Sequence, residues 1–187
     1  MPAMMTPVQI RPLTLSDLPS YEAHAKRHRN ESGHGDLHFW PFEANDVTGP
    51  KGLSADALTR PLTDIGWQRC FVALSKDESS IVGDVNLKGD GLRTGLHRCE
   101  LGIGIERPYR KQGLGRRLMA TAIEFAAGAK SLGWIDLKVF AHNTPARSLY
   151  RELGFVEIAV VRDRFRIGGQ SIDDVIMTLD LSARSAR

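Results

Sequence analysis

The chain has 187 residues, 42% hydrophobic and 25% charged, with a formal net charge of +3. At that size about 70% of the unfolded surface is hidden on folding, so one sizeable core is available, and the near-average composition does not favour a disordered chain. No apolar run reaches a membrane span, Met1 to Ile10 lack the basic-then-apolar pattern of a secretory signal, and the arginines are spread rather than clustered, so the expectation is one cytoplasmic domain with neither membrane nor nucleic acid as partner.

In chain order, Val8 to Arg11 reads as a short extended run, and Ser16 is positioned to cap a helix running towards His28. Residues 30–66 hold Gly33, Gly35, Pro41, Gly49, Pro50, Gly52 and Pro61, which predicts irregular structure with one short helix near Ser54 to Arg60. Two strands follow, Gln68 to Leu74 and Ile81 to Lys88, joined by a hairpin loop, and a third from Arg98 to Ile105. Leu114, Leu118, Ala122, Phe125 and Ala129 recur at helical spacing within an amphipathic helix over Gly113 to Lys130. Trp134 to Phe140 reads as a strand, Thr144 to Leu153 as a helix stopped by Gly154, and Phe155 to Arg162 and Ser171 to Leu181 as closing strands. The domain is expected to span 1–181, with a polar tail at 182–187. Cys70 and Cys99 lie in apolar strand-like runs and read as buried free thiols.

The strongest chemical signal is Arg110-Lys111-Gln112-Gly113-Leu114-Gly115-Arg116, a basic, glycine-bearing turn between a strand and a long helix. Unpaired amides at a helix start attract a pyrophosphate, and glycines let it approach. A P-loop needs Gly-Lys-Ser/Thr where Gly115-Arg116-Arg117 stands, and a Rossmann fingerprint needs a third glycine at Leu118, so neither fits. Taken alone, the turn also reads as an ordinary helix start with solvated arginines.

Arg110-x-x-Gly113-x-Gly115 resembles the acetyl-CoA pyrophosphate motif of the GNAT N-acetyltransferases, and Asn143 to Phe155 resembles that family's next motif. With Glu100-Leu101-Gly102-Ile103 and Asp174-Val175-Ile176-Met177, the resemblance covers roughly residues 68 to 181. It implies an α/β fold with a mixed sheet of about seven strands flanked by helices, acetyl-CoA as cosubstrate, and direct attack of an amine on the thioester. It also implies cofactor contacts from Ile103, Ile105, Arg110, Lys111, Gln112, Gly113, Leu114, Gly115, Arg116, Asn143, Ala146 and Tyr150. Tyr150 matches the family's general acid, although its helical face also suits a core aromatic. Glu100, a carboxylate in an apolar strand, is a candidate base or a solvated strand residue. Asn143 either meets the pantetheine arm or caps the helix at Thr144.

The acceptor is left open among a protein lysine or N-terminus, a polyamine and a small amine metabolite or antibiotic, and a homodimer is implied by the resemblance alone. A CoA-binding regulatory domain without turnover is the competing reading. The segment 30–66 is expected to form the acceptor wall, with Glu31, Asp36, Glu43, Asp46, Asp56 and Asp64 beside Trp40, Phe42 and Trp67. His24, His28, His34 and His38 cluster in sequence, but no cysteine or carboxylate completes a metal-ligand pattern, so no metal is expected.

Overall fold

The computed structural model describes residues 8–34, 38–43 and 52–182. It contains β1 (Ile10–Pro12), α1 (Leu18–Asn30), α2 (Ala55–Thr59), β2 (Gln68–Leu74), β3 (Ile81–Gly89), β4 (Arg98–Ile105), α3 (Leu114–Gly128), β5 (Trp134–Phe140), α4 (Thr144–Glu152), β6 (Val156–Ile167) and β7 (Gln170–Asp180). The strands form one seven-stranded sheet in the order β1-β2-β3-β4-β5-β7-β6. Its one parallel neighbour pair is β4 with β5.

Two layers cover the sheet, and their chemistry differs. On one face α3 buries Leu114, Leu118, Met119, Ala122, Ile123 and Ala126 against Val85, Leu87, Leu101, Ile135, Leu137, Val175 and Met177. The stripe predicted from the sequence holds at Leu114, Leu118 and Ala122, then turns through Met119, Ile123 and Ala126, leaving Phe125 partly buried and Ala129 just past the helix. On the other face α1 buries only His24 and His28. The strand residues beneath it are Asp84 and Asn86 on β3, opposite Gly104 and Gly102 on β4. A Cβ on Gly104 would lie 2.8 Å from Asp84 and 2.9 Å from His28, so glycine lets the helix settle directly on the strand.

Several boundaries differ from the sequence reading for identifiable reasons. Ser16 does not cap α1: a 3-10 turn at Leu15–Asp17 precedes the helix, and the Thr14 amide donates to the Asp17 carboxylate at 2.7 Å. Strand β6 continues past Arg162 because a bulge absorbs the polar residues there. Asp163 adopts φ 48°, and its amide donates to Asp173 Oδ1 at 2.8 Å. Strand β6 lies at the sheet edge and leaves Val156, Ile158 and Val160 exposed.

The parallel ladder is short. It pairs Arg98 with Trp134, Cys99 with Ile135 and Glu100 with Asp136, then stops, while β4 runs on to Ile105 and β5 to Phe140. A clasp ties the closed end: Arg98 Nε and Nη2 donate to the two Asp136 carboxylate oxygens at 2.8 and 2.6 Å, and Thr178 of β7 joins both partners. The Arg98 guanidinium also lies 4.9 Å from the Trp134 ring centre. Beyond the clasp the strands leave a V-shaped notch whose facing backbone edges are not joined to each other.

Candidate active site

The notch and the start of α3 meet at the end of β4. Lys111 and Gly113 both take left-handed backbone, with φ 59° and 77°. A Cβ on Gly113 would meet nothing within 4 Å, so the turn is open to the outside. Gly113 is the N-cap of α3, and its carbonyl accepts the first helical bond, from Arg117 N–H at 3.2 Å. The amides of Gly113, Leu114, Gly115 and Arg116 therefore have no carbonyl one turn earlier to bond, and they concentrate partial positive charge at one point. A Cβ on Gly115 would sit 3.3 Å from Leu149 and 3.4 Å from Ile105, so this glycine serves the close packing of α3 on α4 and β4.

The side chains of the loop are largely committed within the protein. Arg110 donates through Nε to the Ile105 carbonyl at 2.8 Å, pairs with Glu31 and lies 4.8 Å from the Phe39 ring centre. Arg116 is paired with Glu152, and Gln112 donates to the Pro108 carbonyl at 2.8 Å. Backbone amides, with Lys111 exposed beside them, are what the loop offers an anion. Leu114 is buried, while Ile103, Ile105 and Ala146 pack half-buried on the core beside the notch. An anion cradle at one end of an open strand edge fits a ligand that has a pyrophosphate and an extended, amide-bearing arm, which is the make-up of acetyl-CoA.

Tyr150, on α4, is 7% exposed and lies against Phe155, with ring centres 6.1 Å apart. Burial pushes its phenol up to about 12, so it stays protonated at neutral pH. Asn143 Oδ1 accepts from the Ala146 amide at 3.3 Å, which is the helix-capping alternative rather than a free amide-binding group. Glu100, the last β4 residue in the ladder, is half-exposed on the α1 face, and its Oε2 accepts from Lys138 Nζ at 2.7 Å. Cys99 is buried, its thiol is pushed up to about 12 by that burial, and it donates weakly to the Trp134 carbonyl.

Sequence reasoning passed over a buried charge network beneath α1. His24, with no exposed surface, bonds through Nδ1 to Glu106 Oε1 at 2.7 Å and through Nε2 to Asp84 Oδ1 at 3.2 Å. Arg27 donates to the same Glu106 oxygen at 3.0 Å, and Asn86 donates to Asp84 Oδ2 at 3.2 Å. Burial opposes a charge on His24, yet the bonds and charges of Asp84 and Glu106 outweigh it and raise its pKa. One turn on, burial pushes His28 down to about 4, and its Nδ1 accepts the Trp40 indole N–H at 3.1 Å, so its ring is neutral. Asp174, on β7 opposite Phe140, is 3% exposed, and burial raises its carboxyl despite Lys138 and Arg164 nearby. The rule that singled out Glu100, a charge inside an apolar strand, applies equally to Asp84, Asp136 and Asp174.

The described part of the 30–66 segment lies across the α1 face. Phe39 stacks on His28 at 4.9 Å and Trp40 meets Phe42 at 5.8 Å. His142, just past β5, bonds to the His38 carbonyl at 2.6 Å, and the Gly168 amide in the β6–β7 turn donates to Glu43 at 2.9 Å. Residues 38–43 thus strap α1 to the far ends of β5 and β7. One expected wall residue is elsewhere: Trp67 is fully buried in the core, where Gly89 makes room for its indole. Asp56, on α2, pairs with Arg60 just past that helix. Asp36 and Asp46 lie outside the described residues.

Comparison with known proteins agrees with this geometry. The model of the Acetyltransferase (GNAT) family matches residues 34–155. The uncharacterized N-acetyltransferase YycN of Bacillus subtilis is 27% identical over 157 residues, 84% of this chain and 97% of that protein. The N-alpha-acetyltransferase RimI of Mycobacterium tuberculosis is 36% identical over 67 residues, 36% of this chain and 40% of RimI, so the chain covers less than half of that relative. Among solved structures, yncA of Salmonella typhimurium with its cofactor acetyl-CoA superposes with a TM-score of 0.72 at 16% identity, covering 95% of each chain. With a family match over most of its length, a mixed seven-stranded sheet and a notch beside an amide cradle, the chain belongs to the GNAT family of acetyl-CoA-dependent N-acetyltransferases.

Proposed function

We propose that the protein acetylates the free α-amino group of a peptide or protein by direct attack, with the acceptor entering over the α1 face. The observation that carries this reading is the end of the parallel ladder at Glu100 and Asp136, which opens a strand edge beside the start of α3. Bound acetyl-CoA supplies an acetyl thioester. The amides of Gly113 to Arg116 hold its pyrophosphate, Lys111 adds charge, and Ile103, Ile105, Leu114 and Ala146 line the apolar side of the slot. Tyr150 holds a proton for the departing sulfur, consistent with its raised pKa. Glu100 accepts the proton of the incoming ammonium once that ammonium displaces Lys138. The α-amino class is supported by RimI, which is named for that activity and matches part of this chain.

The test is thiol release from acetyl-CoA with three acceptors: a peptide with a free N-terminus and no lysine, the same peptide blocked at its N-terminus and carrying a lysine, and a polyamine. Preferential turnover of the first supports the reading, and preference for either of the others replaces it.

The strap 38–43 would then be the acceptor wall. Trp40→Ala removes both the indole bond to His28 and the packing on Phe42. With the wall loosened, the expected result is a rise of about tenfold in the acceptor's KM, equivalent to about 1.4 kcal/mol, with the KM for acetyl-CoA nearly unchanged. Steady-state kinetics varying each substrate in turn checks it. Equal movement of both constants would remove the strap from acceptor recognition.

A further inference from the structure

Lys138 lies on β5 two residues beyond Asp136, the last β5 residue paired with β4, and on the same face as the acceptor approach. Its Nζ reaches back across the parting strands to Glu100 Oε2 at 2.7 Å, so this ion pair bridges the notch at its apex. Both side chains are about half exposed, at 52% and 57%, and such a pair adds little to stability. The Arg98–Asp136–Thr178 clasp already holds the strands together one step earlier. Lys138 therefore presents a primary amine, hydrogen-bonded to a carboxylate, where the strands open.

We propose that Lys138 is itself an acetyl acceptor, modified from acetyl-CoA when no external amine fills the site. This rests on the direct-attack reading above. Glu100 takes one proton from the Lys138 ammonium and passes it to water. The freed lone pair on Nζ forms the N–C bond to the thioester carbonyl, and the C–S bond breaks with its electron pair going to sulfur. Tyr150 protonates the thiolate, and the second proton lost from Nζ restores the phenol. The products are an amide at Lys138 and the free thiol of CoA. Acetylation removes the lysine charge, so Glu100 loses its ion-pair partner at the apex of the notch.

The experiment incubates the purified full chain with acetyl-CoA and no acceptor, then maps acetylated lysines by mass spectrometry over time at several protein concentrations. The expected result is first-order labelling of Lys138 at a rate independent of protein concentration, about tenfold or more faster than exposed Lys76 and Lys130, as an intramolecular reaction requires. Glu100→Gln should slow the label, and Lys138→Arg should abolish it in a protein that still unfolds cooperatively. Turnover of an external acceptor is measured in parallel. Turnover without a Lys138 label overturns the proposal and leaves the proposed function standing. Equal labelling of all lysines, or a rate that grows with protein concentration, also overturns it. If neither label nor turnover appears, both fail.

Discussion

Tyr150→Phe is expected to keep the fold and the affinity for acetyl-CoA while lowering turnover by about 100-fold or more, the usual loss when a general acid is removed. The phenyl ring fills the same space against Phe155, so packing is preserved and only the hydroxyl is lost. The wild-type phenol, raised to about 12 by burial, remains protonated across the neutral range. Calorimetry with acetyl-CoA and thiol release with a productive amine separate the two effects. Wild-type turnover in the folded variant would return Tyr150 to a packing role and move the proton donor elsewhere.

His24→Leu is expected to destabilise the protein by about 3 to 5 kcal/mol, because it leaves Asp84 and Glu106 buried without the cation between them. For a chain of this size that lowers the melting temperature by on the order of 10 °C. His24→Gln, which keeps a donor but not the charge, should lose less. The pH dependence follows from the direction of the shifts. The folded-state pKa of His24 is raised, so its contribution is complete below the ordinary histidine value and is lost as pH rises through the folded value. For Glu106, burial alone would raise the pKa, but the bonds to Arg27 and His24 lower it, so its contribution is present above the ordinary carboxylate range and lost as pH falls through its folded value. Thermal unfolding at several pH values should show wild-type stability falling as pH rises above the ordinary histidine value and His24→Leu losing that slope. A loss below about 1 kcal/mol would mean the carboxylates find other partners.

Much of the fold could be read directly. The strands at Gln68–Leu74, Arg98–Ile105 and Trp134–Phe140 have the bounds their apolar runs suggest, and α3 keeps the predicted helical stripe at Leu114, Leu118 and Ala122. Helix α1 had no such stripe to read, since the residues it buries are histidines facing carboxylates and glycines rather than apolar side chains. The strap 38–43 was equally opaque, because its order comes from His28, His142 and Gly168 and not from a local repeat.

By itself the sequence determined the succession of elements, the basic glycine turn before α3 and the family to which they belong, because periodicity, turn chemistry and motif spacing are properties of neighbouring residues. Only the tertiary structure decided what the charges do. Glu100 proved to be held by Lys138, Arg110 by Glu31 and Ile105, and Asn143 by the cap of α4. Glu106 meets His24 from 82 residues away, and Asp136 meets Arg98 from 38. Such pairings depend on strand register and on how closely a helix can approach a strand that carries glycine at the contact, as β4 does at Gly104, and neither is written in the residues on either side of a charge.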